Sequence, residues 1–294
     1  MKKTFIFCCM AICLFAATAV CSAAQFTNQG TVLNVPNEYN NLLLVDVPNE
    51  GAYGTLYSVT ERASVLYAAK QGITWDGVGW LFSISRVDEE TLHELQCYNM
   101  FGQQVFAKDQ KGDYYLYNHP TDVRVVRDDY SDPKVMEEWS YVNDWGNSVK
   151  ESFIADNYGL TPEKRSNTDL DIALSRILYM ENTPFSLSTT QFGPVNGKRD
   201  VAEPYLNKLM NGTVFEYQFD RKEAPDGEYV VLELPGEDMR FDFFTADKNL
   251  IRQVWPDGEM VMFYQAVNAD EDFKATEIMN DLYLASVSEA LMKK

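Results

Sequence analysis

Short runs of apolar and aromatic residues, separated by turn-forming residues, fill the stretch from residue 79 to residue 127. The runs read GWLFSISRV, HELQCYNM, QQVFAKD, YYLYN and DVRVV. Runs of this length, rich in aromatic and β-branched residues and bounded by Gly, Asp and Pro, are typical of β-strands. The connections between them are short, so we predict a meander in which neighbouring strands are antiparallel.

Five further runs of the same kind lie in the last third of the chain. They are residues 214–219, 229–234, 239–244, 250–255 and 260–266. In the third of these runs, Phe241 and Phe243 alternate with Arg240 and Asp242. Successive side chains of a strand point to opposite faces, so this pattern predicts one buried face and one solvent-facing face.

The two meanders can be laid over each other along the chain, and each follows a predicted helix. Gly112, in a hairpin loop of the first, then falls on Gly258 of the second. Residue identity between the two is poor. A duplicated lobe explains the likeness, and so do two independent sheets built from ordinary hairpins.

A long helix is predicted to begin after the first meander. Asp132 is a favourable N-cap, and Pro133 occupies the first helical position, which accommodates proline well. Apolar residues then recur at spacings of four and three, the period of one helix face: Val135, Trp139, Val142, Gly146, Val149 and Phe153. A second helical segment would bury Leu170, Leu174, Ile177 and Leu178.

A shorter helix is predicted ahead of the first meander. Ser58 and Glu61 have the spacing of a capping box, and Gly72 supplies a stop signal. The predicted buried face comprises Ala63, Leu66 and Tyr67. Together these elements predict an α+β fold: antiparallel β-meanders packed on helices, in two lobes with a helical connector.

The first residues have the features of a secretory signal. Lys2 and Lys3 form a basic start, an apolar run follows, and Ala23 and Ala24 are small residues of the kind a signal peptidase requires. We expect cleavage after Ala24. The alternative is a lipid anchor on Cys21, which we rank second because the preceding valine is too bulky for that signal.

The expected domain organisation follows from these boundaries. Residues 1–24 are the signal peptide, 25–131 an N-terminal α+β lobe, 132–183 the helical connector, and 184–294 a C-terminal α+β lobe with a terminal helix. Residues 25–39 are polar and rich in turn formers, and we predict a loosely held lead-in. No second apolar span follows the signal, so no transmembrane segment is expected in the mature chain.

Charge and cysteine content restrict the partners. Removal of Lys2 and Lys3 takes the formal charge from −19 to −21. Such a surface repels nucleic acid and anionic lipid. It suits solubility, cations or basic partners, and a solvated acidic surface is the interpretation that we favour. Four of the five cysteines lie in the signal, so Cys97 remains alone and no internal disulfide can form. Cys97 is interpreted as a buried core residue rather than a nucleophile.

Several segments resemble a group of exported proteins of anaerobic bacteria to which no function is assigned. The segments are LYSVTERAS, GVGWLFSISRV, YNMFGQQVFAKD, YNHPTDVR and RQVWPDGEM. The resemblance covers most of the mature chain. It implies a bacterial exported protein, and it carries over no activity, ligand or catalytic residue.

The histidines give one weak catalytic candidate. His119 and Asp122 lie in NHPTDVR, where a histidine beside a carboxylate could act as a general base. The alternative is a turn, which the Asn, Pro, Thr and Asp residues of this segment favour. His93 and Glu94 lack the second histidine of the H-E-x-x-H motif, so no metal or cofactor site is predicted.

Aromatic residues give one weak binding candidate. Tyr115 and Tyr117 fall on one face of a predicted strand, and an outward orientation would form a stacking platform for a sugar or peptide. Core packing is the alternative. The sequence as a whole favours a non-catalytic module outside the cytoplasm that binds a peptide, glycan or protein. The other hypothesis is a hydrolase-like enzyme centred on His119 and Asp122.

Overall fold

The computed structural model describes residues 23–98, 102–128, 131–255, 258 and 260–292. The predicted signal peptide, apart from Ala23 and Ala24, lies outside this part of the chain. Within the described ranges the chain forms seven helices and 15 strands arranged in antiparallel sheets. The α+β prediction is confirmed. No helix in these ranges is long and apolar enough to cross a bilayer.

The helices are α1 (Asn37–Asn40), α2 (Arg62–Gln71), α3 (Glu89–Cys97), α4 (Pro133–Asp156), α5 (Asp169–Tyr179), α6 (Arg199–Met210) and α7 (Ala275–Met292). The first strands are β1 (Ala24–Asn28), β2 (Thr31–Val35), β3 (Leu43–Asp46), β4 (Thr55–Glu61), β5 (Trp80–Val87), β6 (Gln103–Lys108), β7 (Tyr114–Asn118) and β8 (Thr161–Pro162). The others are β9 (Ser186–Thr189), β10 (Val195–Asn196), β11 (Thr213–Tyr217), β12 (Tyr229–Leu234), β13 (Met239–Phe244), β14 (Leu250–Val254) and β15 (Val261–Asn268).

These strands form three sheets. β1 and β2 make a hairpin, and β3 to β8 make a six-stranded sheet in the order β3-β4-β5-β7-β6-β8. The remaining strands form a seven-stranded sheet in the order β10-β9-β12-β13-β14-β15-β11. Its β12, β13, β14 and β15 are consecutive antiparallel neighbours, so the second predicted meander is confirmed.

The chain divides into two compact units, each assembled from two segments. The first unit contains residues 23–86 and 117–160, and the second contains residues 87–116 and the chain from residue 161 onward. This division differs from the predicted succession of lobe, connector and lobe. Of the two helices in the predicted connector, α4 belongs to the first unit and α5 to the second.

The core of the second unit lies between the seven-stranded sheet and three helices. Phe241 and Phe243 of β13 are buried there, as their alternation predicts. The helical residues packed with them include Leu170, Leu174, Ile177, Leu178, Leu206, Leu209, Met279 and Leu282. Burial of each such side chain contributes about 1.5–3 kcal/mol, so this cluster supplies much of the unit's stability.

The prediction that Asp242 faces solvent on β13 is wrong. Its side chain is 0% exposed and accepts hydrogen bonds from Arg240 Nε at 3.0 Å and from Arg252 Nε and Nη2 at 2.8 and 2.6 Å. A second apolar cluster, with Phe244 and Phe263, lies beside it. Alternation therefore separates the two faces of β13, but both faces are covered.

Helix α4 of the first unit follows the prediction closely. Asp132 Oδ1 accepts a hydrogen bond from Lys134 N at 2.9 Å, and Pro133 is the first helical residue. Its buried face contains the predicted apolar stripe from Trp139 to Phe153. Gly146 lies in that stripe because a Cβ there would stand only 3.1 Å from the ring of Phe82.

Two predicted strands of the first meander are wrong. HELQC belongs to helix α3, which Asp88 caps by accepting a hydrogen bond from Thr91 N at 2.8 Å. Residues 122–126 form no strand. Their backbone groups bond outside a ladder, with Gly79 N donating to Arg124 O and Val126 N to Ser64 Oγ.

The predicted lead-in is also wrong, because residues 24–35 form the β1–β2 hairpin. Gly30 has φ of 83° in its turn, a conformation that favours glycine. Asn157, just after α4, holds the hairpin to the helix. Its carboxamide accepts from Val32 N at 2.7 Å and donates to Val32 O at 2.8 Å, as a neighbouring strand would.

The start of α2 differs from the predicted capping box. Ser58 lies within β4, and Glu61 is itself the N-cap, accepting a hydrogen bond from Ser64 N at 3.2 Å. The helix buries Ser64 and Ala68, whereas Leu66, predicted to be buried, is exposed. Gly72 ends the helix at φ of 69°, as predicted.

We expect Asn157→Ala to lower the free energy of unfolding by about 2 kcal/mol, because the N–H and C=O of Val32 lose their partner. Urea denaturation followed by circular dichroism measures the change. The control is Asn34→Ala, which removes an exposed hydrogen bond to Asp156 and should cost no more than about 0.5 kcal/mol. Equal losses in the two variants would contradict the role assigned to Asn157.

Candidate functional site

The structure does not join the two residues of the catalytic hypothesis. His119 Nδ1 lies 3.0 Å from the carbonyl oxygen of Pro120, and Asp122 pairs with Arg124 Nε at 2.8 Å. Within the described ranges, no hydrogen bond or ion pair links His119 to Asp122. Both residues follow β7 in a segment with a bend at residues 121–122, which is the turn that the alternative interpretation predicts.

The predicted outward face of Tyr115 and Tyr117 is wrong, since both residues are 2% exposed. The hydroxyl of Tyr117 donates to the carbonyl of Gly146 at 2.9 Å, and its ring stacks on Phe82. A continuous apolar run is typical of a strand buried on both faces, and YYLYN is such a run. These two rings belong to the core, and we assign them no stacking platform.

A surface cleft of about 750 Å³ in the second unit gathers side chains with chemical potential. Helix α3, the end of α5 and the start of α6 provide its lining. The lining residues are Glu89, Glu90, His93, Glu94, Cys97, Tyr98, Tyr179, Met180 and Arg199. A cavity of this size falls in the range of ligand-binding clefts.

The local sequence of α3 explains why these groups converge. Asp88 fixes the helix start, and acidic residues occupy the first turn, where the positive end of the helix dipole stabilises them. Residues four apart lie on one face of a helix, so Glu89, His93 and Cys97 form a row. Leu92, the residue before His93, is buried and anchors the helix to the core.

His93 stacks on Tyr179, with ring centroids 3.9 Å apart and an interplanar angle of 11°. Burial lowers the pKa of His93 below its ordinary value, and the charge of Glu89 opposes this effect. Burial likewise raises the pKa of Tyr179. Both rings are therefore neutral at pH 7. In the described part of the chain no hydrogen bond engages the imidazole, so one N–H donor and one nitrogen acceptor are available to a ligand.

Cys97 forms the inner end of the row on α3. It is buried, and its carbonyl oxygen accepts a hydrogen bond from Arg176 Nε at 2.7 Å. Burial raises the pKa of its thiol, while the charge of Arg176 opposes that shift. The sulfur is therefore protonated at neutral pH and is a poor nucleophile. The predicted core position of Cys97 is confirmed.

The carboxylates of the cleft outnumber its cations. Glu89 is engaged with the hydroxyl of Tyr114 at 3.4 Å, but Glu90 and Glu94 are exposed and form no ion pair with any residue that the structure describes. Arg199 is the lining residue of opposite charge. Across the described ranges, no group of three or more metal-ligating side chains converges here or elsewhere.

Sequence reasoning missed this cleft because it treated HELQC as a strand. The signal for a helix was present, since Asp88 followed by two acidic residues is a typical helix start. The stacking of Tyr179 on His93 could not be predicted, because nothing in the local sequence relates these two residues.

We expect the pKa of His93 to make the folded state sensitive to acid. Its folded pKa lies below its unfolded value of 6.5. As the pH falls below about 6.5, the unfolded chain binds a proton that the folded chain does not, so the free energy of unfolding decreases. Denaturation between pH 5 and 7 should show a smaller decrease in His93→Gln. An equal decrease in His93→Gln and in the parent chain would contradict the assignment.

We expect Cys97 to be unreactive in the folded protein. In a chain that begins at Gln25, Cys97 is the sole thiol, and iodoacetamide should alkylate it about 100-fold more slowly than in urea, since access requires local opening. Mass spectrometry measures the rate. Comparable rates with and without urea would show an accessible thiol.

Comparison of the chain with protein-family models, with curated proteins and with solved structures gave no match.

Proposed function

We propose that this chain is an exported, non-catalytic binding module that acts outside the cytoplasm and holds a cationic group of its ligand in the cleft of α3. The observation that carries the proposal is the pairing of a neutral aromatic wall, His93 stacked on Tyr179, with the unpaired carboxylates of Glu90 and Glu94. A basic side chain of a peptide fits this combination.

The wall and the carboxylates act on different parts of such a ligand. An aromatic face attracts a cation and also covers the apolar stem of a lysine or arginine side chain. Carboxylates at the rim attract the charged end and accelerate encounter with a positively charged partner. The formal charge of −19 over the whole chain acts in the same direction at longer range.

Binding accounts for the cleft better than catalysis does. Cys97 is the potential nucleophile of the lining, and burial keeps its thiol protonated. An activated nucleophile needs an adjacent base or a lowered pKa, and Cys97 has a raised pKa. The hydrolase hypothesis has no support at His119 either, because Nδ1 of His119 lies 3.0 Å from the carbonyl oxygen of Pro120.

Export is the second part of the proposal. Lys2 and Lys3, the apolar run behind them and the small residues up to Ala24 support a signal that directs the chain out of the cytoplasm. The resemblance to exported bacterial proteins supports the same location.

We expect the chain to bind a tetralysine peptide that is acetylated only at its N-terminus, and not a tetraglutamate peptide, in isothermal titration calorimetry. The double variant Glu90→Gln/Glu94→Gln should weaken tetralysine binding about five-fold, since each exposed charge contributes about 0.5 kcal/mol. Its matched control is Glu223→Gln/Glu271→Gln, which removes the same charge from exposed positions outside the lining.

Equal weakening in the two double variants would show that the acidic surface as a whole attracts the peptide, and the assignment of the α3 cleft as the binding site would then be wrong. Tyr179→Leu provides an independent check, because it removes the aromatic wall without changing the charge. Unaltered affinity in Tyr179→Leu would also count against the cleft.

A further inference from the structure

A second, smaller pocket lies in the first unit, between α2, α4 and the residues ahead of β3. Its volume is about 280 Å³. The lining residues are Asn41, Leu42, Glu61, Arg62, Ala63, Leu66, Arg127, Glu138, Tyr141 and Val142. Clefts for whole small molecules begin at about 300 Å³, so this pocket has the size of a receptacle for one anchoring side chain.

Three large apolar side chains around this pocket are exposed. Leu42 is 40%, Leu66 62% and Tyr141 47% exposed, and each belongs to a different segment of the chain. Apolar residues that are exposed singly are ordinary, but a group of them around one concavity marks an interaction surface. Tyr39 extends the group, because its ring stacks on Tyr141 at 4.9 Å.

The floor of the pocket is a buried polar network. Glu61 accepts hydrogen bonds from the backbone and hydroxyl of Ser64 and from Arg127, and Arg127 Nη1 lies 3.7 Å from a carboxylate oxygen of Glu138. These bonds to the buried carboxylate of Glu61 hold Ser64 and Arg127 in one arrangement. The pocket is therefore preformed, which reduces the entropy lost on binding.

Two donors of this lining have no acceptor. Arg62 Nε and Arg127 Nε are buried, and their N–H groups donate to no acceptor within the described residues. Buried donors are almost always satisfied in folded proteins, so an orphaned pair at one pocket indicates a missing acceptor. The carbonyl oxygen of a bound peptide backbone is an acceptor of that kind.

Carboxylates surround the apolar rim. Glu138 remains 52% exposed, although Arg127 Nη1 lies 3.7 Å from its carboxylate. The pKa of Tyr39 is raised by burial, by its hydrogen bond and proximity to Tyr141, and by the nearby charges of Glu38 and Asp144. These carboxylates disfavour an acidic partner and attract a basic one. The rim thus selects for charge, whereas the pocket selects for an apolar side chain.

We infer that this pocket is a docking site for an extended segment of a partner protein. The segment inserts one aromatic or aliphatic side chain between Leu42, Leu66 and Tyr141 and places lysine or arginine residues next to Glu138. This site is separate from the α3 cleft, and its assignment does not depend on that proposal.

The test uses two labelled pentapeptides and fluorescence anisotropy on the mature chain. One peptide has phenylalanine between two pairs of lysines, and the other has serine in its place. The phenylalanine peptide should bind about ten-fold more tightly, the difference expected of one anchoring side chain. The α3 cleft recognises the lysines that both peptides carry. The variant Leu66→Ser leaves that cleft unchanged, so it separates the contribution of the pocket to this ratio from that of the cleft.

Leu66→Ser should abolish the preference for phenylalanine, and it should leave the thermal midpoint unchanged because Leu66 is exposed. The matched control is Leu284→Ser on α7, where a leucine 54% exposed lies outside the pocket. That variant should retain the full preference. Nuclear magnetic resonance gives an independent readout, since the phenylalanine peptide should shift the methyl signals of Ala63 and Val142.

Equal binding of the two peptides, or the same effect of Leu66→Ser and Leu284→Ser, would overturn the inference. Light scattering provides a further outcome. Dimers of the chain that Leu66→Ser dissociates would assign the pocket to a second copy of the protein, and the proposed partner segment would then be wrong.

Discussion

The carboxylate of Asp242 stands at the centre of β13 without contact to solvent, and the guanidinium groups of Arg240 and Arg252 neutralise it. Removal of both arginines would leave an uncompensated charge in the interior, which costs several kcal/mol. Arg252 also lies over the rings of Tyr229 and Phe244. The covered second face of the seven-stranded sheet therefore combines this ion cluster with apolar contacts.

Buried carboxylates that accept hydrogen bonds also occur in other parts of the chain. Glu61 caps α2 from a buried position. Thr168 caps α5, and the buried carboxylate of Asp171 completes a capping box by accepting a hydrogen bond from Thr168 N. Burial raises the pKa of Asp171, while the hydrogen bonds from Thr168 and Ser166 oppose that shift. Helix starts are thus held by interior polar contacts, with no cysteine cross-link among the described residues. Both candidate binding surfaces adjoin a helix fixed in this way or by Asp88.

The sequence predicted some elements well for identifiable reasons. β12 and β13 have the predicted bounds, because turn formers flank both and aromatic or branched residues fill them. Helix α4 was predictable from its cap, its proline and its long apolar stripe. Such signals are local, so they survive without knowledge of tertiary contacts.

The errors share a physical origin in contacts between distant residues. Alternation shows that Asp242 and Phe241 point in opposite directions, but not that both directions are covered. Leu66 has the spacing of a buried helical residue, yet the structure packs Ser64 inward because Glu61 and Val126 need its hydroxyl. The α3 cleft requires Tyr179 beside His93, and no local pattern encodes that stacking.

The interleaving of the two units affects how the chain can reach its native state. The first unit is complete only when residues 117–160 have joined residues 23–86. The stretch between these two segments belongs to the other unit. Emerging from a ribosome or a translocation channel in order, the N-terminal strands lack the face of α4 that covers them until about residue 160 has appeared. Truncation between residues 87 and 116 would therefore leave neither unit whole.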